Sequence, residues 1–222
     1  MDIVIAPDPP TAARETAEWV ARQLRNAVSR RGAATVAFSG GSTPALMLSA
    51  LADLQLPWES TTVFQVDERI APDGDADRNA TLLEVLRSRG TSIQLMPVTA
   101  KDLDAAVQRY AALVPERFDV VHLGVGDDGH TASWPPGDRV IDADGTVALS
   151  DEYKGRRRMT LTVHAVNAAR HRVVLATGDA KAPVIERWLL HDHDLPIDRV
   201  GRKNTVVVLD AAAAARLPYQ AR

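Results

Sequence analysis

One glycine-rich run holds the residues best equipped for chemistry: Gly124, Val125, Gly126, Asp127, Asp128, Gly129, His130, Thr131, Ala132 and Ser133, directly after the apolar stretch ending at Leu123. An imidazole is the side chain best suited to take a proton near neutral pH, and a carboxylate two residues before it can fix the ring's tautomer and raise its basicity. His130 and Asp128 are therefore the candidate catalytic pair. Gly129 between them is a candidate substrate-binding position, because N–H groups of a glycine loop can stabilise an oxyanion. The same glycines spell G-x-G-x-x-G, the outline of a dinucleotide site. Against that outline, Asp127 and Asp128 would turn negative charge toward a pyrophosphate, and Trp134, Pro135 and Pro136 cut short the helix such a site needs.

A second loop has the makings of an anion cradle. Phe38 leads into Ser39, Gly40, Gly41, Ser42, Thr43 and Pro44, after which a helical pattern begins. Glycines let the backbone approach a ligand, hydroxyls donate, and a helix N-terminus adds free N–H groups and the positive end of a dipole. Gly40, Gly41, Ser42 and Thr43 thus outline a phosphate site, the plainer reading being a tight turn before a helix capped by Thr43. No Lys follows these glycines and the order Gly-x-Ser-x-Gly is missing, which disfavours a Walker A loop and a serine-esterase elbow.

Basic residues stand at three further places. Val66 runs into Asp67, Glu68 and Arg69 after a strand that should be buried on both faces. Arg69 could clamp a phosphate and Asp67 could accept bonds from sugar hydroxyls or hold a catalytic group; the alternative is a salt-bridged strand end. Lys181 falls in the first turn of a helix, where a cation opposes the dipole unless an anion binds there. Arg158 is the third candidate, or else a solvated arginine at the end of the charge run Asp151–Arg158, which reads as surface.

Other patterns carry less. Asp73, Asp75, Asp77, Asn79, Thr81 and Glu84 have the ligand spacing of a calcium loop, but Arg78 stands where that loop needs Gly, and a strand and Pro72 precede it. The segment reads as a polar loop capping a helix that starts at Asp77. His122 lies within a strand, and His164 and His171 border elements without a glycine loop. His191 and His193 alternate with Asp192 and Asp194 but follow a helix and have no partner motif, so no metal site is expected.

Bulk properties narrow the classes. The formal charge of -3 lacks the basic excess of a nucleic-acid binder. The absence of cysteine removes disulfides, thiolate metal sites and a Cys nucleophile. Met1, Asp2, Ile3, Val4 and Ile5 do not open a signal peptide, and no run of roughly 18 apolar residues predicts a membrane span. The expectation is a cytoplasmic protein with one domain over residues 1–222, monomeric or weakly dimeric, with no nucleic-acid or membrane partner.

These residues need a scaffold, and the alternation of short β-branched runs with longer amphipathic ones predicts βα units around a mostly parallel sheet. Strands are predicted at Asp2–Ala6, Thr35–Phe38, Thr61–Val66, Ile93–Met96, Phe118–Leu123, Arg172–Ala176 and Thr205–Leu209. Helices are predicted at Thr11–Arg30, Pro44–Asp53, Asp77–Ser88, Ala100–Leu113, Asp179–Leu190 and Asp210–Arg216. The result is a three-layer α/β fold, an open sheet with helices on both faces. Ligands of such sheets collect at the carboxyl ends of the strands, where every loop above begins.

Taken together, FSGGSTP at Phe38–Pro44, VDER at Val66–Arg69, Asn79, LGVGDDGHTAS at Leu123–Ser133, RMTLT at Arg158–Thr162 and TGDAKA at Thr177–Ala182 resemble the 6-phosphogluconolactonases, within the wider family that includes glucosamine-6-phosphate deaminases. The resemblance spans most of the chain. It implies a Rossmann-like, deaminase-like fold without metal or cofactor. It also implies hydrolysis of a small sugar-phosphate lactone, 6-phosphoglucono-1,5-lactone, to 6-phosphogluconate in the oxidative pentose phosphate pathway. On the same resemblance His130 matches the general base, Asp128 the acid of its loop, and Gly41, Ser42 and Thr43 the phosphate loop. Arg69, Arg158 and Lys181 match basic substrate-binding positions, and Asn79 a substrate-binding one. Asp67 matches an acid that removes a substrate proton in the deaminases and in a lactonase would bind hydroxyls or orient water. Trp134 and Pro135 replace a usual Leu and Phe, and the approach to Arg158 is rich in Arg where the family often has prolines. The alternatives are a deaminase, whose pattern has a Glu where this chain has Pro135, and a non-catalytic sugar-phosphate sensor.

Overall fold

The computed structural model describes residues 1–218, so 219–222 of the predicted domain lie outside the described residues. In chain order the elements are β1 (Asp2–Ala6), α1 (Pro9–Arg31), β2 (Ala34–Phe38), α2 (Ser42–Ala52), β3 (Thr61–Gln65), β4 (Asp67–Arg69), α3 (Ala80–Arg87), β5 (Ser92–Gln94), α4 (Leu103–Ala111), β6 (Val120–Leu123), β7 (Val147–Leu149), β8 (Arg158–Leu161), α5 (Val163–Ala168), β9 (His171–Ala176), α6 (Ala182–Leu189) and β10 (Thr205–Asp210). The main sheet has seven strands in the order β1-β10-β9-β6-β2-β3-β5, every pair parallel.

Strand periodicity explains the three layers, because successive side chains point to opposite faces. Val36, Phe38, Val120, Val173, Leu175 and Val208 join one core with α1, α2 and α3, while Ala37, Val121, Leu123, Val174, Ala176 and Val207 join the other with α4, α5 and α6. Both faces being covered is the reason the interior strands read apolar throughout. Helix α1 starts where Asp8 accepts the N–H of Thr11 and prolines fill the first turn, and stops at Gly32, whose φ of 77° suits a residue without Cβ.

The chain also forms a small antiparallel sheet, β4-β8-β7, which the sequence reading did not foresee. Its strands are three or four residues long and one of them is Asp-Glu-Arg, so neither hydrophobic alternation nor propensity marks them. Val66 joins the two sheets: its N–H donates to Phe38 O (3.0 Å) and its carbonyl accepts from Leu161 N–H (2.7 Å).

Two predicted helices change. The helix expected at Asp210–Arg216 does not form: Asp210 closes β10, and its carboxylate accepts from Gly178 N–H (3.0 Å) and Ala213 N–H (2.8 Å). The short alanine run that follows makes only isolated turns, too few bonds to offset the cost of nucleating a helix. The helix expected from Asp77 starts at Ala80, where the buried Glu68 carboxylate accepts from the N–H groups of Asn79 (2.8 Å) and Ala80 (2.9 Å). Thr43 is not a cap either, since Gly41 holds that position without a side-chain bond. Among the described residues no helix is long and apolar enough to cross a membrane.

Candidate active site

The carboxyl ends of β2, β6 and β9, together with β4 and β8, enclose a cavity of about 230 Å³. Gly40, Gly41, Ser42, Thr43, Asp67, Arg69, Asn79, His130, Arg158 and Lys181 all line it. The candidates from separate loops therefore converge, because in a parallel sheet every strand delivers its following loop to the same edge.

On one wall is the N-terminus of α2. Gly41 takes φ 129° at its cap, which a side chain rarely permits. Gly40 is required by its neighbour: a Cβ there would sit 1.8 Å from Asn79 Oδ1. Thr43 Oγ1 and Thr177 Oγ1 share a hydrogen bond of 2.7 Å, tying this loop to the one after β9. Lys181 reaches the cavity from the start of α6 and pairs with the carboxylate of Asp127.

The next wall is polar and buried. Asp67 is 4% exposed; its Oδ2 accepts from Ser133 Oγ (2.7 Å), and its backbone carbonyl accepts from Asn79 Nδ2 (2.9 Å). Arg69 donates to Asn79 Oδ1 (2.5 Å) and to the Asp77 carbonyl (2.7 Å). The register of the small sheet sets Arg69 directly opposite Arg158. Like charges so placed repel, and the repulsion is offset when an anion enters between them. Arg158 is 7% exposed, its Nε has no hydrogen-bond partner among the described residues, and burial lowers its pKa against the opposing pull of Asp67.

The third wall carries the imidazole. His130 Nδ1 lies 2.5 Å from Asp128 Oδ1, and Tyr153 donates its hydroxyl to Asp128 Oδ2 at 2.5 Å. A carboxylate held this way selects the tautomer with the proton on Nδ1, which leaves Nε2 as the basic nitrogen. Burial pushes the Asp128 carboxyl up, but the bonds from Tyr153 and His130 together outweigh it and hold it well below the usual carboxylate range. Burial lowers the His130 pKa, Asp128 works against that, and the Lys154 cation adds to it. The net effect favours the neutral ring, the form able to accept a proton. The ring rests on Gly126, where a Cβ would stand 2.0 Å from Nδ1.

Some expectations are corrected. Gly129 does not line the cavity: it takes φ 83°, donates to Gly126 O (3.0 Å), accepts from Ile197 N–H (2.9 Å) and faces Leu195. The N–H of Gly126 is likewise spent, on His130 O (2.7 Å), so neither is an oxyanion donor as the loop stands. Asp128 stands behind His130 rather than on the cavity wall. The run Asp151–Arg158 is not simply solvated. Tyr153 clamps Asp128, Arg156 pairs with Asp75 (2.9 Å) and Asp77 (3.3 Å), and Arg158 is buried with its guanidinium 5.2 Å from the Tyr153 ring centre. Sequence reasoning missed Tyr153 because a lone aromatic among charges carries no spacing signal. Ser39, Thr131 and Thr177, also on the wall, sit inside the motifs already noted. No helix follows β6 directly, as the prolines required. His193 bonds Asp198 (2.6 Å), and Asp75 and Asp77 of the calcium-like stretch are engaged by Arg156.

Comparisons with known proteins agree with this layout. The family described as glucosamine-6-phosphate isomerases/6-phosphogluconolactonase matches residues 7–209. A 6-phosphogluconolactonase of Mesorhizobium japonicum is 38% identical over 176 residues, 76% of this chain and 71% of that protein. One from Nostoc sp. is 28% identical and covers 97% of this chain and 98% of its own. The solved 6-phosphogluconolactonase of Shewanella baltica superposes with a TM-score of 0.87 at 26% identity, over 95% of this chain and 98% of that one. A monomeric glucosamine-6-phosphate deaminase shares the fold, with a TM-score of 0.82 at 18% identity over 97% of this chain and 99% of that one. In sequence and in fold, the chain belongs to the glucosamine-6-phosphate isomerase/6-phosphogluconolactonase family.

Proposed function

We propose that this protein, acting as one domain, hydrolyses 6-phosphoglucono-1,5-lactone to 6-phosphogluconate. The observation that carries the reading is an imidazole, braced at Nδ1 by Asp128, that lines the same cavity as the α2 N-terminus and three cations. The N-terminus of α2, with Gly40–Thr43 and Lys181, holds the phosphate; Asp67, Asn79 and Arg69 meet the sugar hydroxyls. Nε2 of His130 takes a proton from water as the water oxygen bonds to the lactone carbonyl carbon. The tetrahedral intermediate then expels the ring oxygen, which takes that proton back from Nε2 as the C–O bond breaks, leaving an open-chain acid. With the Gly126 and Gly129 N–H groups already committed, the oxyanion charge falls to cations of the wall, foremost the buried Arg158, whose Nε has no hydrogen-bond partner among the described residues. Phosphate binding contributes orientation, not chemistry.

A deaminase reading is less well supported: Pro135 occupies the place of its Glu, and the curated relatives at 30–38% identity are named as lactonases. The test follows acid release from freshly made lactone with the spontaneous opening subtracted. The wild type should accelerate it and His130→Ala should not; full acceleration by His130→Ala would overturn the assignment. Ammonia release from glucosamine 6-phosphate would reinstate the deaminase.

A further inference from the structure

At the opposite edge of the main sheet, by the amino ends of β2, β6 and β9, a second cavity of about 410 Å³ opens. Four guanidinium groups line it: Arg30 and Arg31 from the last turn of α1, Arg117 before β6 and Arg170 before β9, with His171 beside them. Cations suit a helix C-terminus, which accounts for Arg30 and Arg31 but not for the pair from the other two segments. Asp119 is the one carboxylate on this wall, and both its oxygens are occupied. Oδ1 pairs with Arg31 and lies 3.4 Å from Arg170 Nε; Oδ2 accepts from Thr35 N–H at 2.9 Å.

The donors exceed what Asp119 can absorb. Arg170 Nε is buried and, despite the 3.4 Å separation, out of line for a hydrogen bond. Arg117 commits Nε to Ala168 O (3.0 Å), leaving its terminal nitrogens; Arg30 is exposed and pairs with no carboxylate among the described residues. The other polar groups here include the side-chain amides of Gln23, Asn26 and Asn204, which can donate as well as accept. The wall therefore sets four guanidinium groups against one carboxylate, within a chain whose formal charge is -3. An acceptor-rich anion suits such a lining, and the planar guanidinium matches the oxygen spacing of phosphoryl groups.

We propose that this cavity is a second anion site, separate from the catalytic one, that takes a small molecule bearing two or more linked phosphates. Two arginines per phosphate favour a diphosphate over a single phosphate. The strands between the two cavities have four to six residues, which at about 3.3 Å per residue sets them roughly 13–20 Å apart. One ligand cannot fill both. The proposal is independent of the lactonase reading.

Calorimetric titration with inorganic pyrophosphate in metal-free, low-salt buffer tests it, with inorganic phosphate as the second probe. Three proteins are compared: wild type, Lys181→Ala to weaken the catalytic cradle, and Arg30→Gln/Arg117→Gln. Pyrophosphate should bind Lys181→Ala as tightly as wild type at this site, bind the double variant at least tenfold more weakly, and bind more tightly than phosphate. Lactone turnover by the double variant should stay at the wild-type rate. Should the loss at Ala168 unsettle the double variant, Arg30→Gln alone, which has no internal partner to lose, should still weaken binding several-fold. Pyrophosphate binding that vanishes in Lys181→Ala, or that is equal in wild type and the arginine variants, overturns the second site.

Discussion

Replacing Gly126 with alanine tests how the base is held. The new Cβ would lie 2.0 Å from His130 Nδ1, 2.1 Å from Cε1 and 2.7 Å from Asp128 Oδ1. Ordinary contact begins at 3.4 Å, so the ring must withdraw by about 1.4 Å or the turn must open. That turn is closed by Gly126 N–H to His130 O (2.7 Å) and Gly129 N–H to Gly126 O (3.0 Å). Backbone strain is not the source of the effect, because the φ of Gly126 is outside the left-handed region. A misplacement of about 1 Å costs about 100-fold in rate, or about 2.7 kcal/mol of transition-state stabilisation. Gly126→Ala should therefore lose about two orders of magnitude in kcat, with KM within a few-fold because Gly40–Thr43 and Lys181 are untouched. Initial rates on fresh lactone give both constants, and a thermal melt confirms that the variant is folded. A folded variant with wild-type kcat, or one whose loss is confined to KM, would refute the claim that the ring's seat on Gly126 positions the base.

The dyad also predicts a pH profile. Because burial depresses the His130 pKa, kcat/KM should fall on the acid side with a midpoint below 6.5, and Tyr153→Phe should move that midpoint upward. The reason is that Asp128, freed of the Tyr153 bond, becomes a stronger partner for the imidazolium; kcat should drop roughly tenfold for one lost charge-assisted bond, and an unmoved midpoint counts against the clamp. Lys181→Ala should raise KM by tenfold or more with kcat nearly kept, since the proposed mode sets it on the phosphate and not on the reacting carbonyl; an equal fall in kcat would place it in the chemistry. His122 is fully buried in β6, neither ring nitrogen has a hydrogen-bond partner among the described residues, and burial pushes its pKa down to about 3. A base whose folded pKa lies below its unfolded value of 6.5 costs stability as pH falls from 6.5 toward 3. Between pH 7 and 4.5 this amounts to roughly 2–3 kcal/mol. Urea unfolding of His122→Leu should show a correspondingly shallower pH dependence, and a slope equal to wild type would contradict it.

Much of the site was legible because of one property of parallel sheets. The loops at Gly40–Thr43, Asp67–Arg69, Gly124–Ser133 and Thr177–Lys181 each follow an apolar strand, so their convergence on one cavity follows from strand order and direction alone. The Asp128–His130 pair was legible for a local reason, two residues being too close in the chain to miss each other across a glycine turn. Tyr153 was not, and neither was the place of Gly129 outside the cavity, where it faces Leu195 far along the chain.

What the amino-acid order settled by itself is the layer structure and the edge at which chemistry occurs, since hydrophobic period, glycines and caps are local quantities that survive without a partner. Tertiary structure alone decided the rest. It set Arg69 across from Arg158, made Glu68 the cap of α3, denied a helix to Asp210–Arg216 and brought Tyr153 onto Asp128. Each of these joins segments distant in the chain, and burial sets the strength of such contacts, which no local pattern encodes.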